Sequence, residues 1–125
     1  MHHACCLAVK AITAALFAAA ACTSISLTAF AGTPPYVGTW ANDAASCKVP
    51  QDQQGAPMIV TAKGYDQHEA HCTFAAITRT RRVWKVDAQC SVEGDKQKDS
   101  FTLQVNGNKL VMAHGANART YVRCK

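Results

Sequence analysis

The distribution of cysteines constrains this 125-residue chain more than any other feature. Three of the seven cysteines lie in an alanine-rich, apolar N-terminal segment. The other four, Cys47, Cys72, Cys90 and Cys124, are spread over the polar remainder. An even number of cysteines in a short exported chain is typical of a domain that disulfides hold together. The sequence therefore predicts an exported protein with two disulfides.

The first 31 residues have the pattern of a secretory signal peptide. Lys10 precedes an apolar stretch at positions 11–21, and Ala29-Phe30-Ala31 is a small-x-small cleavage site. We predict that residues 1–31 are removed and that residues 32–125 form a single domain, periplasmic or secreted. In an alternative processing route, residues 19–22 resemble a bacterial lipoprotein box, and the protein is anchored through a lipidated Cys22. Neither route leaves a transmembrane span in the mature protein.

The charge of the mature part is mildly basic. Of the thirteen Lys and Arg residues only Lys10 lies in the leader, so twelve remain against eight Asp and Glu. This excess favours an anionic partner only slightly. A domain of this length buries a modest core, so we expect the disulfides to contribute to its stability.

The apolar pattern of the mature part has a period of two residues. Trp84, Val86, Ala88 and Cys90 share one face of a strand at residues 83–92, with polar residues between them. Seven strands are predicted, at residues 36–41, 58–63, 68–78, 83–92, 101–105, 109–113 and 118–124. Turn residues separate them, which predicts an all-β fold, a small antiparallel up-and-down meander or barrel.

The sequence also predicts three finer features. Cys72, Phe74 and Ala76 are predicted on one face of their strand. Asn106-Gly107 is predicted at the centre of a type I′ hairpin turn, which needs positive φ at both central residues. The large inward residues predict a filled interior rather than a ligand cavity.

The predicted topology selects one of the three possible disulfide pairings. In a seven-strand meander, Cys47 and Cys124 lie at one end of the sheet and Cys72 and Cys90 at the other. Cys72 and Cys90 are also equally distant from Arg81, so the hairpin between them places the two side by side. Chain-entropy estimates differ too little to choose between pairings. We predict Cys47–Cys124 and Cys72–Cys90, a result that depends on the strand count.

Gly38-Thr39-Trp40, with Arg119 and Arg123 near the C-terminus, resembles the calycin signature. The resemblance implies that Trp40 near the start of the barrel is covered by an arginine of the last strand, a cation–π contact that closes the barrel. Among calycins, the length of the chain is most similar to that of the small periplasmic protease-inhibitor barrels. An inhibitory tail would here be only residues 32–36, and the four cysteines depart from that family.

A second resemblance covers most of residues 38–124. The chain is similar to a group of small exported alphaproteobacterial proteins of unknown function with the pattern G-x-W, C, E-x-x-C, W-x-V-x-A-x-C and Y-x-R-C. The matching residues are Gly38, Trp40, Cys47, Glu69, Cys72, Trp84, Val86, Ala88, Cys90, Tyr121, Arg123 and Cys124. The resemblance implies a shared fold and export.

No residue pattern predicts catalysis, a metal or a cofactor. His68-Glu69-Ala70-His71 is one residue short of the zincin motif, and histidines three apart on a strand point to opposite faces. Ser46, Ser91 and Ser100 lack an oriented base, and the remaining carboxylates are typical of solvated turns. We predict that the protein is not an enzyme.

Arg79, Arg81, Arg82 and Lys85 form the main charge cluster, at a predicted hairpin turn. Arginine binds oxyanions through two parallel hydrogen bonds, so this turn is the candidate contact for an anion or a protein partner. No aromatic residue interleaves the cluster, which disfavours nucleic acid. We expect a monomer that is a binding or inhibitory module of the cell envelope. The alternative is a structural or stress-related envelope protein that associates with anionic surfaces.

Overall fold

The computed structural model describes residues 32–125, so the predicted signal peptide, its cleavage site and Cys22 lie outside the described residues. These residues form a closed antiparallel barrel of eight strands in sequence order, which confirms the all-β prediction. The strands are β1 (Gly38–Ala41), β2 (Met58–Thr61), β3 (Gly64–Gln67), β4 (Ala70–Thr80), β5 (Val83–Val92), β6 (Asp95–Asn106), β7 (Lys109–His114) and β8 (Asn117–Arg123). One short 3₁₀ helix, Ala45–Lys48, follows β1. Within residues 32–125 no helix has the length and apolar character needed to span a bilayer.

Each strand pairs with the next, and β1 closes the barrel by pairing with β8. This closing ladder is short, with Trp40 opposite Arg123 and Ala41 opposite Val122. The backbone N–H of Cys124 extends it by donating to the carbonyl oxygen of Thr39 at 2.8 Å. Closure pairs every strand with a neighbour on each side over at least part of its length, so the ring has no first or last strand.

The predicted count of seven strands is wrong by one, because β3 was missed. The strand predicted at residues 58–63 ends at Thr61, and the chain turns back at once through residues 62–63 into β3. Gly64, expected to end a strand, begins this one. A Cβ atom at Gly64 would collide with the carbonyl oxygen of Cys72, so glycine allows β3 and β4 to approach closely. Four residues are too few to show alternation in the sequence.

A β-bulge in β4 overturns the predicted face of Ala76. Phe74 lies opposite Ala88 and Ala76 opposite Asp87, so Ala75 is an extra residue without a partner. Beyond the bulge, Ile77 rather than Ala76 is on the inner face.

The hairpin between β6 and β7 is where Asn106-Gly107 predicts one, but its turn differs. Asn106 still pairs with Lys109, so the central residues are Gly107 and Asn108. Of these two only Gly107 has a positive φ, at 61°. The type I′ prediction is therefore wrong, and glycine at the first central position is the pattern of a type II′ turn.

The barrel interior is filled by inward side chains from β1, β2, β5, β6, β7 and β8. Trp40, Val86, Leu103 and Leu110 are completely buried, and no polar or charged side chain of residues 32–125 is buried. Full burial of a large apolar side chain contributes about 1.5–3 kcal/mol, so this layer supplies most of the favourable free energy of folding. The prediction of a filled interior holds for the centre of the barrel.

Both disulfides have the predicted pairing, Cys47–Cys124 and Cys72–Cys90. Cys72 and Cys90 are direct cross-strand partners in the core, with Cα atoms 4.1 Å apart. They are opposite each other because two deviations from the predicted strand register compensate for one another. The turn has Thr80 opposite Val83, which is not symmetric about Arg81, and the extra residue in β4 restores the offset.

The seven-strand topology does not explain the Cys47–Cys124 disulfide. With eight strands, β8 is antiparallel to β1, so its C-terminal end lies beside the beginning of β1. Cys47 nevertheless reaches Cys124 because its 3₁₀ helix packs back against β1. Cys124 is opposite Thr39, on the outer face of the barrel. The disulfide therefore ties the chain after β1 across the seam between the first and last strands.

Replacing both Cys47 and Cys124 with Ser should keep the fold but lower the free energy of unfolding by about 2–4 kcal/mol, because a long loop in the unfolded chain is no longer closed. Denaturant unfolding of the oxidised protein and of the variant measures the difference. Peptide mapping without reduction should give Cys47–Cys124 and Cys72–Cys90 fragments, and a Cys47–Cys72 fragment would contradict the fold.

Candidate binding surfaces at the two ends of the barrel

The up-and-down topology sorts the connections into two sets. The β2–β3, β4–β5 and β6–β7 turns lie at one end of the barrel, together with the beginning of β1 and the C-terminus. We call this the plugged end. The β3–β4, β5–β6 and β7–β8 turns lie at the other end, which we call the open end.

The residues before β1 close the plugged end. The backbone N–H of Val37 donates to the carbonyl oxygen of Pro34 at 3.0 Å, which folds this segment into a turn. Tyr36 is 2% exposed, and its ring meets the edge of Trp84 with the centroids 5.4 Å apart. The indole N–H of Trp40 donates to the carbonyl oxygen of Tyr36 at 2.8 Å. We call residues 34–37 the plug. Aromatic packing and one buried hydrogen bond hold the plug in this end of the barrel.

Arg123 fixes the plug from the last strand. Its Cζ lies 4.1 Å from the ring centroid of Trp40, and its Nη1 and Nη2 donate to the carbonyl oxygens of Val37 and Pro35 at 3.1 and 2.7 Å. Gly38 lies directly beneath, where an added Cβ would be 2.6 Å from Nη1. The structure thus places Arg123 on Trp40, as the calycin resemblance implies.

Arg119, the other arginine named with Trp40, does not reach it. Arg119 lies four residues before Arg123 on β8, opposite Met112, and lines the open end instead. Residues four apart on a strand share a face but are separated by about 13 Å. The pairing of Arg119 with Trp40 is therefore wrong.

The predicted arginine cluster lies at the plugged end but is divided between the faces of its hairpin. Arg79 lies on the inner face opposite Trp84, with its Cζ 4.9 Å from the indole centroid, and its Nε donates to the carbonyl oxygen of Arg81 at 2.8 Å. Arg81 and Arg82 form the exposed tip, and Lys85 is on the outer face. Of the four residues only Arg79 is held by contacts of the domain, so Arg81, Arg82 and Lys85 are free to meet a partner.

Further basic residues surround the same end. None of the plugged-end turns, at residues 62–63, 81–82 and 107–108, and neither residue after β8 is acidic. The basic residues of these segments and of the strand ends beside them are Lys63, Arg79, Arg81, Arg82, Lys85, Lys109, Arg123 and Lys125. We call this set the basic end face. Positive charge is therefore concentrated at this end of the barrel, although the net charge of the whole chain is small.

A pocket of about 710 Å³ lies at the open end. Met58 and Met112 are buried beneath it, and Tyr65, Tyr121 and Arg119 are among the residues that line its wall. The volume is within the usual range of small-molecule sites, about 300–1,000 Å³. This pocket at the mouth does not contradict the predicted filled interior, because the centre of the barrel is filled.

The polar side chains of the pocket include hydroxyl and guanidinium donors beside the amides of Gln67 and Asn117, which both donate and accept. Burial raises the pKa of Tyr65 to about 12, and the nearby Asp99 carboxylate and Tyr121 act in the same direction, so the Tyr65 hydroxyl keeps its proton. His114 is already engaged, with its Nε2 3.0 Å from Oδ2 of Asp99. Among residues 32–125, neither tyrosine hydroxyl nor the Arg119 guanidinium has a protein acceptor, and neither hydroxyl is enclosed without a partner. These groups are therefore available to a molecule bound in the pocket.

The His68–His71 segment does not form a ligand set. Nδ1 of His71 lies 2.7 Å from Oδ1 of Asp66, while His68 belongs to the β3–β4 turn beside Glu69. Throughout residues 32–125, no three His, Cys, Asp or Glu side chains converge as a metal site would require.

No protein-family model, curated protein or solved structure matches this chain. The candidate sites therefore depend on the geometry alone. Sequence reasoning missed the pocket because Tyr65 lies on the missed strand β3 and because Arg119 was assigned to the wrong end. Arg119 and Tyr121 alternating on β8 are the signal that could have found it, since alternate residues share a strand face.

Replacing Arg123 with Lys should lower the free energy of unfolding by about 1–3 kcal/mol, because lysine keeps the charge but loses the planar stacking on Trp40 and one of two carbonyl bonds. Denaturant unfolding measures this loss. The exposed Arg82→Lys change is the matched control and should alter stability by less than about 0.5 kcal/mol.

The raised pKa of Tyr65 should make the free energy of unfolding depend on pH in the alkaline range. A group with a raised pKa stabilises the fold fully below its unfolded pKa, and this contribution disappears as the pH rises through the folded value. The protein should therefore lose stability between about pH 10 and 12, and Tyr65→Phe should lose less over the same range. Denaturant midpoints across this range test the idea, and parallel loss in both proteins would contradict it.

Proposed function

We propose that the protein is an extracytoplasmic binding module that takes a small ligand at the open end. The observation that carries the proposal is the contrast between the ends. Tyr36, Trp40 and Arg123 fill one end, while the other has a pocket bordered by hydrogen-bond donors. A preformed concave site with a few convergent polar groups above an apolar floor is typical of small-molecule binding.

The donors define the chemical class of the ligand. Two tyrosine hydroxyls and one guanidinium are among the groups that line the pocket, and none of its lining residues is Asp or Glu. The Asp99 carboxylate near Tyr65 is hydrogen-bonded to His114 through one oxygen. Such a donor excess is complementary to an oxyanion, and arginine binds a carboxylate through two parallel bonds. Met58 and Met112 would contact an apolar body, to which flexible methionine side chains adapt. The ligand is therefore a small carboxylate with an apolar portion.

The proposal assigns no reaction to the pocket. None of the residues that line it is a Ser, Thr or Cys, so His114 has no side chain of these three nucleophilic types there to activate. Inhibition of a protease by the N-terminal tail is less well supported. Tyr36 is buried in the plug and Pro35 is bound by Arg123, which leaves only residues 32–34 of the described chain as a tail.

A second function, association with anionic surfaces, is favoured by the basic end face. Its residues come from three turns and from the chain terminus, so the positive charge does not depend on one hairpin. The two functions use opposite ends of the barrel and do not exclude each other.

Replacing Arg119 with Gln should weaken the binding of small carboxylates by roughly 10- to 100-fold, because a charge-assisted hydrogen bond is lost. Isothermal titration of linear and aromatic carboxylates measures the effect. The matching primary amides should bind the original protein no better than they bind the variant. Arg82→Gln removes the same charge at the other end and should leave the affinity unchanged. Equal losses in both variants, or equal affinity for acids and amides, would refute the assignment.

A further inference from the structure

We propose that the basic end face docks on a bilayer rich in anionic lipid and leaves the open end facing away from it. This inference rests on the second of the proposed functions and names its partner. It does not require the pocket to be occupied.

The charges of the barrel are distributed unevenly along its axis. The charged side chains of the plugged-end turns and of the residues after β8 are all basic, whereas the open end mixes Glu69, Glu93 and Asp95 with Lys96, Lys98 and Arg119. A negative surface orients a molecule with this distribution before contact, basic end first. Because the basic residues come from three turns and the C-terminus, they surround one end rather than line a groove. That arrangement fits a flat surface better than a single linear polyanion.

The β4–β5 hairpin gives this face an apolar component. β3 pairs with β4 only as far as Thr73, so on that side residues 75–80 continue past the barrel with β5 as their only partner. Ile77 lies on this projection and is one of only two large apolar side chains exposed in residues 32–125. Beyond it come Arg79, stacked on Trp84, and the exposed tip of Arg81 and Arg82. An apolar side chain among arginines is typical of segments that lie in the headgroup region of a membrane.

The test compares two variants with the same change of net charge. R81N/R82N removes two charges from the hairpin tip, where asparagine tolerates the positive φ of Arg81. K96Q/K98Q removes two charges from the outer face of β6, near the open end. Sedimentation with phosphatidylglycerol–phosphatidylcholine vesicles measures partitioning of the purified, oxidised protein, and pure phosphatidylcholine vesicles show its dependence on lipid charge.

We expect R81N/R82N to weaken partitioning by roughly 10- to 30-fold at low salt, and K96Q/K98Q to change it less than about threefold. Ile77→Thr should weaken vesicle binding but not retention on heparin, since only a bilayer offers an apolar region. Equal losses in both double variants would mean that net charge alone decides, and retention on heparin without vesicle binding would make the partner a soluble polyanion. Either result overturns the proposal. Arg119→Gln should not affect vesicle binding, so failure of the pocket assignment is distinguishable from failure of this one.

Discussion

The contact of the Arg123 guanidinium with the Trp40 ring is the interaction on which the rest of this structure depends. The ladder between β1 and β8 is the shortest in the barrel, with two residue pairs. Arg123 reinforces it with a planar group that stacks on the indole and holds two carbonyl oxygens of the preceding segment. One side chain therefore joins the last strand, the first strand and the plug. Its contacts add to the Cys124–Thr39 backbone hydrogen bond and the Cys47–Cys124 disulfide at the same seam.

This closure gives the two ends different properties. The plug occupies one end with aromatic side chains, and the pocket lies at the other end. The same arrangement places the N-terminal lead-in among the basic turns, away from the pocket. A site for small molecules and a surface for a larger partner can therefore coexist on a domain of this size, because each has its own end.

The sequence predicted what depends on local alternation. Strand β5 has the predicted bounds because its ten residues alternate cleanly between the two faces. β3 was missed because its four residues alternate too briefly to be distinguished from a turn. The bulge at Ala75 leaves no mark in the sequence, since alanine fits either face, and only pairing with β5 reveals the extra residue.

The sites were predictable only in part, since they depend on which end of the barrel a residue reaches. Arg119 and Arg123 share one face of β8, so alternation cannot distinguish them, and only the register with β1 decides which one meets Trp40. The pocket depends on four strands, β2, β3, β7 and β8, meeting at the mouth, and one of them, β3, was not recognised. The predicted disulfide pairing is correct although the predicted number of strands is not. The bulge in β4 compensates for the offset of the β4–β5 turn, and the 3₁₀ helix after β1 brings Cys47 back to Cys124.

The disulfide between Cys47 and Cys124 also bears on the order in which the molecule can be completed. A chain emerges from synthesis with its N-terminus first, and domains fold as their segments become accessible. The β4–β5 hairpin brings Cys72 and Cys90 together through contacts close in sequence, so this bond can form on a partial chain. The first strand must wait, because its partner Arg123 and the cysteine that ties its seam follow all the other strands in the sequence. Until Arg123 and Cys124 have been synthesised, the chain lacks both the side chain that stacks on Trp40 and the thiol that joins Cys47.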